Sequence, residues 1–444
     1  MIEGPSMMTS PASPRYARYV LGLLTAVYIV NYIDRNLLAI LLQSIKEDLE
    51  LSDSQLGLLS GTAFGLFYAT LGVPIARLAD LYSRKWVVVT SLTLWSGMTA
   101  LCGTAASFTS LLFYRVGVGV GEAGGSPPSH SIISDLFPPE RRGTALGIFS
   151  LGVPIGILIG LMAGGWLDET LGWRMAFFVV GLPGLILSLI VTFTLREPTR
   201  GAIEGVQAGE VSYNAREVFI YLFRLRSFRH TAIASALYAF VGYTSVIWTP
   251  SFLIRSYGME SGPIGTALSL IMGIGGAFGV YFGGSLSDRW AKRNPRGRLY
   301  LPSLAMLASL PFSVAMYLVD SPEATLALLL PPSIFGLMYQ GPAFAITQSL
   351  ATPRMRSTAA AVLLFVINII GLACGPALTG ILSDQLEPRF GSESLRYAMM
   401  TVSLLFIWAA YHFWTASRTI EADLLFAQKT MHQESETTSS TETV

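Results

Sequence analysis

Two stretches of the chain, 208 residues apart, carry the same pattern of charges. Residues 76–85 read ARLADLYSRK, and residues 284–293 read GSLSDRWAKR. In each, an aspartate (Asp80 or Asp288) is followed after four and five residues by two basic residues, and each stretch comes directly after a long apolar segment. These repeats predict a chain built from two related halves.

The composition is that of a protein embedded in a membrane. Of its 444 residues, 52% are hydrophobic and only 13% are charged, about half the charged share of an average soluble protein, and the mean hydropathy is +0.54. The net charge of +1 gives no sign of a nucleic-acid partner. Cys102 and Cys374 lie in apolar stretches and, like the four scattered histidines, show no metal-ligand spacing. An ordinary soluble enzyme is excluded, and neither a metal nor a cofactor is expected.

Twelve segments are apolar enough over about 20 residues to span a bilayer as helices. Numbered helix 1 to helix 12, they are predicted at about 17–42, 54–76, 86–106, 109–134, 143–166, 173–195, 230–254, 263–286, 299–319, 324–350, 357–382 and 395–417. A second repeat, PERRGTA over 139–145 and PRMRSTA over 353–359, precedes helices 5 and 11. Duplicated six-helix halves are a transporter architecture. The predicted fold is therefore an all-α membrane protein of two pseudo-symmetric six-helix bundles, 17–196 and 230–417.

The basic residues predict the orientation. With the N-terminal segment (1–16) inside the cell, 22 of the 29 Lys and Arg residues fall in inner loops and tails, five in outer loops and two, Arg35 and Arg115, inside spans. Cytoplasmic loops carry the excess of basic residues in membrane proteins. We expect a multi-pass protein of the inner (plasma) membrane with both termini cytoplasmic.

Two inner regions differ from the short loops. Residues 197–229 form the longest inner loop, whose basic and aromatic part over 213–229 predicts a short interfacial helix between the halves. Residues 418–444 end in sequence rich in Glu, Ser and Thr, which predicts a disordered cytoplasmic tail.

The charged stretch that follows helices 2 and 8 resembles the loop signature of the major facilitator superfamily, G-x-x-x-D-[RK]-x-G-[RK]-[RK]. The second copy keeps Gly284 and Asp288, whereas the first has Ala76 in place of the leading glycine. The glycine-rich run from Arg115 to Gly125 in helix 4 resembles another superfamily motif. Positive-inside topology by itself is the alternative explanation of the charges. The resemblance implies a conformational latch that closes the cytoplasmic side of the outward-facing state, formed by Asp80, Arg84, Lys85, Asp288 and Arg293.

Four charged residues lie deep in the predicted spans: Asp34, Arg35, Arg115 and Glu122. An intramembrane charge costs about 2.5–3.5 kcal/mol on insertion scales, so it is a functional-site hypothesis by default. At 1.5 Å per residue, Asp34 lies about 26 Å from the inner surface, Glu122 about 18 Å and Arg115 about 28 Å. Arg115 and Glu122 are seven residues apart and share a helix face. We expect the four residues to form a near-neutral cluster between helices 1 and 4.

Two roles are open for this cluster. One is structural, a pair of buried salt bridges between helices 1 and 4, although desolvation makes such pairs weak stabilisers. The other is functional, because protonation of a carboxylate frees its arginine to hold an anionic headgroup. On that interpretation Asp34 and Glu122 carry protons, and Arg35 and Arg115 bind the substrate. Asn31 and Tyr32, beside them on helix 1, are further candidates for substrate binding.

The C-terminal half has no charge deep in a span. In the helices that would line a central cavity, Tyr243, Trp248, Tyr339 and Phe365 are predicted to contact the substrate, with helix packing as the alternative role. A charged N-terminal half opposite an aromatic C-terminal half suits an amphipathic substrate that has a headgroup and a tail.

A narrower resemblance rests on residues 31–36 of helix 1 (NYIDRN) and 121–123 of helix 4 (GEA), which are similar to the spinster-like branch of the superfamily. That branch implies transport of lysolipids or sphingosine-1-phosphate-like lipids, proton-coupled in some members. It also implies coupling and headgroup-binding roles for Asp34, Arg35, Arg115 and Glu122. The organic-anion:cation symporter branch has a similar helix 1 and helix 4, and implies small carboxylates and sugar acids as substrates.

We therefore expect a monomeric secondary transporter that works by alternating access and moves an amphipathic anionic lipid, coupled to protons. The alternatives are a proton-coupled symporter of small organic anions and a non-transporting receptor on the same fold. A receptor needs a folded cytoplasmic output domain, and neither the 197–229 loop nor the tail is long enough to supply one. An enzyme would need a nucleophile–base pair or metal ligands in the spans, and none is evident.

Overall fold

The computed structural model describes residues 13–199, 215–352 and 355–441, without the side chains of Val73, Asp80, Pro139, Glu140, Ala215, Ser357 and 431–441. In this part of the chain each predicted span is a helix. Seven helical stretches of the described residues also meet the length and apolar composition of a membrane span. Of the remaining spans, helices 2, 4 and 10 are interrupted, whereas helix 3 is a single helix, Arg84–Cys102.

In the N-terminal half, helix 1 is Pro14–Leu49, helix 2 is Asp53–Gly57 and Ala63–Leu81 joined by the π-helical turn Leu58–Thr62, helix 3 is Arg84–Cys102, helix 4 is Phe108–Glu122 and Ser126–Leu136, helix 5 is Pro139–Ser150 and Gly152–Leu171, and helix 6 is Trp173–Thr194. A linker helix, Ala215–Arg224, follows. In the C-terminal half, helix 7 is Arg226–Tyr257, helix 8 is Ser261–Leu268 and Gly275–Ala291 joined by the π-helical turn Ser269–Ile274, helix 9 is Gly297–Ala315, helix 10 is Pro322–Leu337 and Gln340–Leu350, helix 11 is Arg356–Ile367 and Gly375–Phe390 joined by the π-helical turn Asn368–Ala373, and helix 12 is Ser394–Ser403 and Leu405–Thr441.

Local sequence explains where these helices begin, break and end. Helix 1 begins after Ser13, whose hydroxyl caps it by accepting a hydrogen bond from the Tyr16 amide at 3.3 Å, and Pro14 occupies its first turn. It ends at Glu50, whose φ of 50° is left-handed. Helix 4 breaks directly after Glu122, where two glycines precede Ser126 and a pair of prolines begins the next segment. The break places Glu122 at a helix end within the span.

The apolar core divides in a way that reveals the conformation. At the outer end, residues of both halves pack into one cluster that includes Leu41 and Leu161 of the N-terminal half and Trp248 and Ile264 of the C-terminal half. Towards the other end each half has its own core, and Leu372 and Tyr243 are the C-terminal-half residues that pack on the core of the N-terminal helices. The halves are therefore packed together at the end that the sequence predicts to be outer, and share fewer buried apolar contacts towards the end that it predicts to be cytoplasmic.

The two predicted inner regions differ from expectation in part. Residues 200–214 of the linker lie outside the described residues, but an interfacial helix follows at Ala215–Arg224, shorter than the predicted 213–229. The predicted disordered tail is instead a continuation of helix 12 to Thr441. Buried Ile420 and Ala427 and an ion pair between Glu421 and Arg296 (2.7 Å) hold the extension against the C-terminal half.

Candidate functional site

The centre of the site is an ion pair between helix 1 and helix 4. The guanidinium of Arg35 donates two hydrogen bonds to Oε2 of Glu122, at 2.6 Å from Nη2 and 3.1 Å from Nε. The Glu122 side chain is fully buried, whereas that of Arg35 keeps 13% of its surface exposed. Oε1 of Glu122 has no hydrogen-bond partner among the described residues. The pair is thus buried on its acidic side and accessible on its basic side, and the predicted contact between helices 1 and 4 is confirmed.

Three aromatic rings surround the Arg35 guanidinium. Its Cζ lies 4.9 Å from the ring centre of Tyr32, 5.0 Å from Phe64 and 4.7 Å from Tyr68. Such contacts stabilise a cation that has lost its water. Asn31 completes this Arg35 group, since its Oδ1 lies 3.5 Å from Arg35 Nη2. Tyr32 and Asn31 are where the sequence predicts them, whereas Phe64 and Tyr68 of helix 2 are not apparent from it.

Arg115 lies near that pair, and both arginines contact the ring of Phe64. The Arg115 guanidinium lies 5.3 Å from this ring. Gly119 makes the approach of helix 4 to helix 2 possible, because a Cβ there would lie 2.7 Å from the carbonyl oxygen of Phe64. Arg115 is 1% exposed, and its Nε and Nη1 have no hydrogen-bond partner among the described residues. A buried cation with unused donors is a candidate anion ligand.

Asp34 makes no hydrogen bond with the other three charged residues in the described structure, but it lies close enough to Glu122 and Arg115 to interact with both electrostatically. It is completely buried and its Oδ2 accepts a hydrogen bond from the Thr99 hydroxyl of helix 3 at 3.3 Å. Its other oxygen has no partner within the described part of the chain. Adjacent residues of a helix point about 100° apart, so Asp34 is directed to Thr99 whereas Arg35 is directed to Glu122.

The predicted aromatic residues of the C-terminal half take different positions. Tyr243 of helix 7 packs against the inner cores of both halves and lies close enough to Arg35 to interact with it electrostatically. Trp248 is fully buried and donates its indole N–H to the Pro376 carbonyl at 3.0 Å. Tyr339 is 5% exposed and packs on Tyr238. In this conformation the rings of Trp248 and Tyr339 are buried in helix packing, and their role as substrate ligands stays a prediction. Phe365 is 38% exposed, and its role stays a prediction.

An apolar groove runs along the seam between the halves. It has a volume of about 380 Å³ and lies between helix 5 and helix 8. Three lining residues, Ile274, Phe278 and Tyr281, are about half or more exposed. The full lining is Pro154, Ile155, Leu158, Gly273, Ile274, Ala277, Phe278 and Tyr281. Among the described residues, no group of three or more His, Cys, Asp or Glu side chains could hold a metal ion.

Comparison with known proteins identifies the family. Residues 24–376 match the Major Facilitator Superfamily. The chain is 34% identical over 417 residues to an MFS-type efflux pump of Mycolicibacterium smegmatis, covering 93% of this chain and 95% of the relative. It is 30% identical over 434 residues to protein spinster homolog 1 of Xenopus tropicalis, covering 93% and 82%. The chain is a spinster-like transporter of the major facilitator superfamily.

The fold of this transporter agrees with a solved structure. A bacterial homologue of the human lysosomal transporter spinster, in an inward-facing and unoccupied conformation, matches with a TM-score of 0.84 and 31% identity, over 93% of this chain and 99% of that one. The major facilitator fold is thereby confirmed. The transporter is also 26% identical to a hexuronate transporter of Bacillus subtilis, covering 80% of this chain and 86% of that one.

Two of the residues predicted to form the cytoplasmic latch, Arg84 and Asp288, form ion pairs within their own halves. Arg84, 2% exposed, binds Asp135 and, at 2.9 Å, Glu197, both in the N-terminal half. Asp288 lies 3.3 Å from Arg298 in the C-terminal half. The Asp80 side chain lies outside the described residues, the Lys85 ammonium lies over the Trp86 ring, and Arg293 is at the inner end of helix 8. An outward-facing latch formed by these residues stays a prediction.

On the outer side the transporter has an ion-pair network that the sequence does not reveal. Arg255 of helix 7 donates to both carboxylate oxygens of Asp53 of helix 2, at 2.7 and 2.8 Å, and Lys46 donates to Asp53 at 2.6 Å. Burial opposes ionisation of Asp53, but hydrogen bonds and charge from Arg255, followed by hydrogen bonds from Lys46 and Ser383, outweigh it and lower the pKa of its carboxyl to about 2. Asp53 therefore stays ionised throughout the physiological range.

This network predicts a defined pH dependence of stability. A carboxyl whose folded pKa is lowered stabilises the protein above its ordinary pKa of 3.8, and this contribution is lost as the pH falls through about 2. We expect the melting temperature of the wild type in detergent to exceed that of Asp53→Asn by a constant margin from pH 7 to about pH 4, and the margin to shrink below that. A margin that already shrinks between pH 7 and pH 5 would contradict the assignment.

Proposed function

We propose that the transporter moves an amphipathic anionic lipid, such as a lysophospholipid or a sphingosine-1-phosphate-like lipid, in exchange for or together with protons. The observation that supports it best is that the surface between the halves has a cationic part and an apolar part. The accessible face of the Arg35 group is cationic and aromatic, whereas the groove between helices 5 and 8 is apolar. A headgroup phosphate fits the first, and an acyl chain fits the second.

The proposed coupling rests on competition for Arg35. In the structure Glu122 neutralises Arg35 through two hydrogen bonds. A proton on Glu122 removes its charge, and with it the Coulombic attraction that holds the pair together. Arg35 is then available for a phosphate oxygen, which it binds bidentately. Proton and lipid thereby bind to the two members of one pair, which couples their binding.

Asp34 and Arg115 have supporting roles in this proposal. Asp34 is buried with one unpartnered oxygen beside helix 3, so its charge state acts on how helix 1 packs against helix 3 rather than on the headgroup directly. Arg115 supplies a second cation across the Phe64 ring from Arg35. A doubly charged phosphate headgroup would use both arginines, whereas a neutral headgroup would use neither.

A second candidate is proton-coupled transport of small organic anions. The likeness to a hexuronate transporter favours it, since that relative covers 80% of this chain. A sugar acid presents one carboxylate and several hydroxyl groups, and would need hydrogen-bond partners in the C-terminal half. In the described structure Tyr243 is the C-terminal-half side chain close to the Arg35 group.

Reconstitution separates these candidates. The purified transporter is placed in liposomes with an imposed pH gradient, and movement of a labelled lysophospholipid is followed beside that of labelled gluconate. We expect gradient-dependent movement of the lysolipid and little movement of gluconate. Gluconate movement without lysolipid movement would support transport of small organic anions instead. A rate of lysolipid movement that does not depend on the pH gradient would contradict proton coupling.

A further inference from the structure

Two histidines join helix 7 to helix 12 near the end that the sequence predicts to be cytoplasmic. Nδ1 of His230 lies 2.7 Å from Nδ1 of His412, and the ring centres are 5.0 Å apart. Both rings are half-buried. In such a pair one nitrogen donates and the other accepts, so the bond exists only while at least one ring is neutral. Within the described residues the Nε2 atoms have no hydrogen-bond partner, which leaves them available to a ligand.

Two arginines of helix 7 lie beside this pair. Arg226 and Arg229 are exposed, and both are close enough to His230 to act on it electrostatically. Neither arginine has an ion-pair partner in the described part of the chain. Asp423 of helix 12 comes close to the start of helix 7, but it accepts a hydrogen bond from the Ser227 amide at 2.6 Å and so caps the helix. The start of helix 7 therefore presents two exposed cations that no described side chain pairs with.

Aromatic side chains of helix 12 lie along the exposed side of the same contact. Trp408 and Tyr411 are 57% and 54% exposed, and their ring centres lie 6.4 and 5.5 Å from that of His412. Tryptophan and tyrosine are enriched where a membrane meets water, at the level of the lipid headgroups. The aromatic residues therefore indicate that this contact lies at headgroup level. We call the surface formed by Arg226, Arg229, His230, His412, Trp408 and Tyr411 the 7–12 seam.

The order of groups along the 7–12 seam matches the order of groups in a phospholipid. Helix 7 runs away from the predicted cytoplasmic side, so His230 lies about 6 Å deeper than Arg226. Helix 12 runs towards that side, so Trp408 lies about 6 Å deeper than His412. From the surface inwards the seam presents guanidinium groups, then imidazoles, then aromatic rings. A phospholipid presents its phosphate, then its glycerol esters, then its acyl chains.

The charge of the seam favours an anionic headgroup. Arginine binds phosphate oxygens bidentately, and basic pockets between membrane helices on the cytoplasmic side bind anionic headgroups. Phosphatidylcholine carries an ammonium group that the two arginines repel, whereas phosphatidylglycerol carries no positive charge. A free phosphate ion would leave Trp408 and Tyr411 without a partner. The seam therefore fits an anionic phospholipid better than either alternative.

We propose that the 7–12 seam binds an anionic phospholipid of the surrounding membrane, with its phosphate on Arg226 and Arg229 and its ester oxygens on the histidine pair. Bound lipid neutralises the start of helix 7 and stabilises its packing against helix 12. This lipid is a resident partner and not the cargo. Helix 12 packs on helices 7 and 9, whereas the Arg35 group is formed by helices 1, 2 and 4. The inference is thus independent of which substrate is carried.

The test reads lipid binding and not transport. Full-length protein is delipidated in detergent and titrated with phosphatidylglycerol or phosphatidylcholine of the same acyl chains, and bound lipid is counted by native mass spectrometry. We expect the tightest-bound phosphatidylglycerol to bind at least about tenfold more tightly than phosphatidylcholine. Arg226→Gln with Arg229→Gln should weaken phosphatidylglycerol by about thirtyfold, the attraction expected of two arginines at an anionic surface, and phosphatidylcholine by less than about threefold.

The histidine pair should contribute less than the arginines. His412→Phe keeps a ring of similar size and removes both nitrogens. It should weaken phosphatidylglycerol by about threefold, the effect of one hydrogen bond between neutral groups. A larger loss in His412→Phe than in the double arginine variant would contradict the placement of the phosphate on the arginines.

A matched variant separates this site from a general attraction to anionic lipid. Arg15→Gln with Arg18→Gln removes the same charge from exposed positions at the inner end of helix 1, beside helix 6, and should leave the affinity unchanged. Equal affinity of the wild type for the two lipids, or an equal loss in the helix 1 variant, would overturn the site. Displacement of the lipid by millimolar inorganic phosphate would assign the seam to a free anion instead.

Folding and the transport site are controlled in the same experiment. Each variant is checked by its melting temperature in detergent. Should the double glutamine variant fail to fold, Arg226→Lys with Arg229→Lys replaces it; this variant keeps the charge but loses bidentate binding, so a smaller loss in the same direction is expected. Arg35 is intact in every variant, so a loss of phosphatidylglycerol affinity does not arise from the proposed transport site.

Discussion

Glu122→Gln is expected to lower the rate of proton-gradient-driven movement of lysophospholipid in liposomes by at least about tenfold, while leaving the protein folded. The glutamine keeps the length of the side chain and one oxygen that can accept from Arg35, but it cannot take up a proton. Removing one partner of a buried pair outright costs about 3–5 kcal/mol, and this isosteric change should cost much less. Transport is measured with and without the gradient, and folding by the melting temperature.

The pattern of the results decides the role of Glu122. Exchange of lipid in the absence of a gradient should persist, because binding does not require the proton on a residue that is already neutral. Glu387→Gln, which changes an exposed carboxylate at the outer end of helix 11, is the control and should behave as the wild type. Gradient-driven transport that survives in Glu122→Gln would make the Arg35–Glu122 pair a structural bridge between helices 1 and 4.

Arg35→Ala is expected to weaken binding of a phosphate-headed lysolipid by about tenfold to a hundredfold. Hydrogen bonds to charged groups contribute about 1.5–3 kcal/mol, and each 1.4 kcal/mol is a factor of ten. A neutral monoacylglycerol with the same acyl chain should lose less than about threefold, since its affinity comes from the apolar groove. Binding of both lipids is measured on the purified protein by calorimetry or fluorescence.

One complication of this substitution is that it leaves Glu122 buried without a counter-charge. The double variant Arg35→Ala with Glu122→Gln removes both charges, and it should keep the same discrimination between phosphate and neutral headgroups. Equal loss of affinity for the two lipids, in the single and the double variant, would mean that Arg35 shapes the cavity and does not bind the headgroup.

The main contact of the site could be predicted from the sequence, and its surroundings could not. Helical rise alone brings helix 1 and helix 4 charges to one depth, and the structure confirms the pair of Arg35 and Glu122. Phe64 and Tyr68 were beyond prediction, because aromatic residues are common on every side of a membrane helix. Only the packing of helix 2 against helices 1 and 4 turns their rings to the arginine.

The sequence does not show which way a side chain on a membrane helix points. Depth along the helices places Asp34 near Glu122 and Arg115, with which it interacts electrostatically, but its hydrogen-bond partner, Thr99 of helix 3, is not apparent from the sequence. Trp248 has the chemistry of a ligand-binding aromatic residue, yet the Pro376 carbonyl of helix 11 takes its N–H. Depth along a helix can be counted in a sequence, whereas the direction of a side chain depends on neighbours far along the chain.

By itself, the sequence determined the twelve spans, their duplication and the identity of the buried charges. Each follows from local composition, because a bilayer requires long apolar helices and penalises every charge within them. The tertiary structure decided which partner each charge has and at which end the halves pack together. Contacts such as those of Asp384 with Asp53 and Ser54 join residues more than 300 positions apart. They depend on how one half is placed against the other, which local composition does not determine.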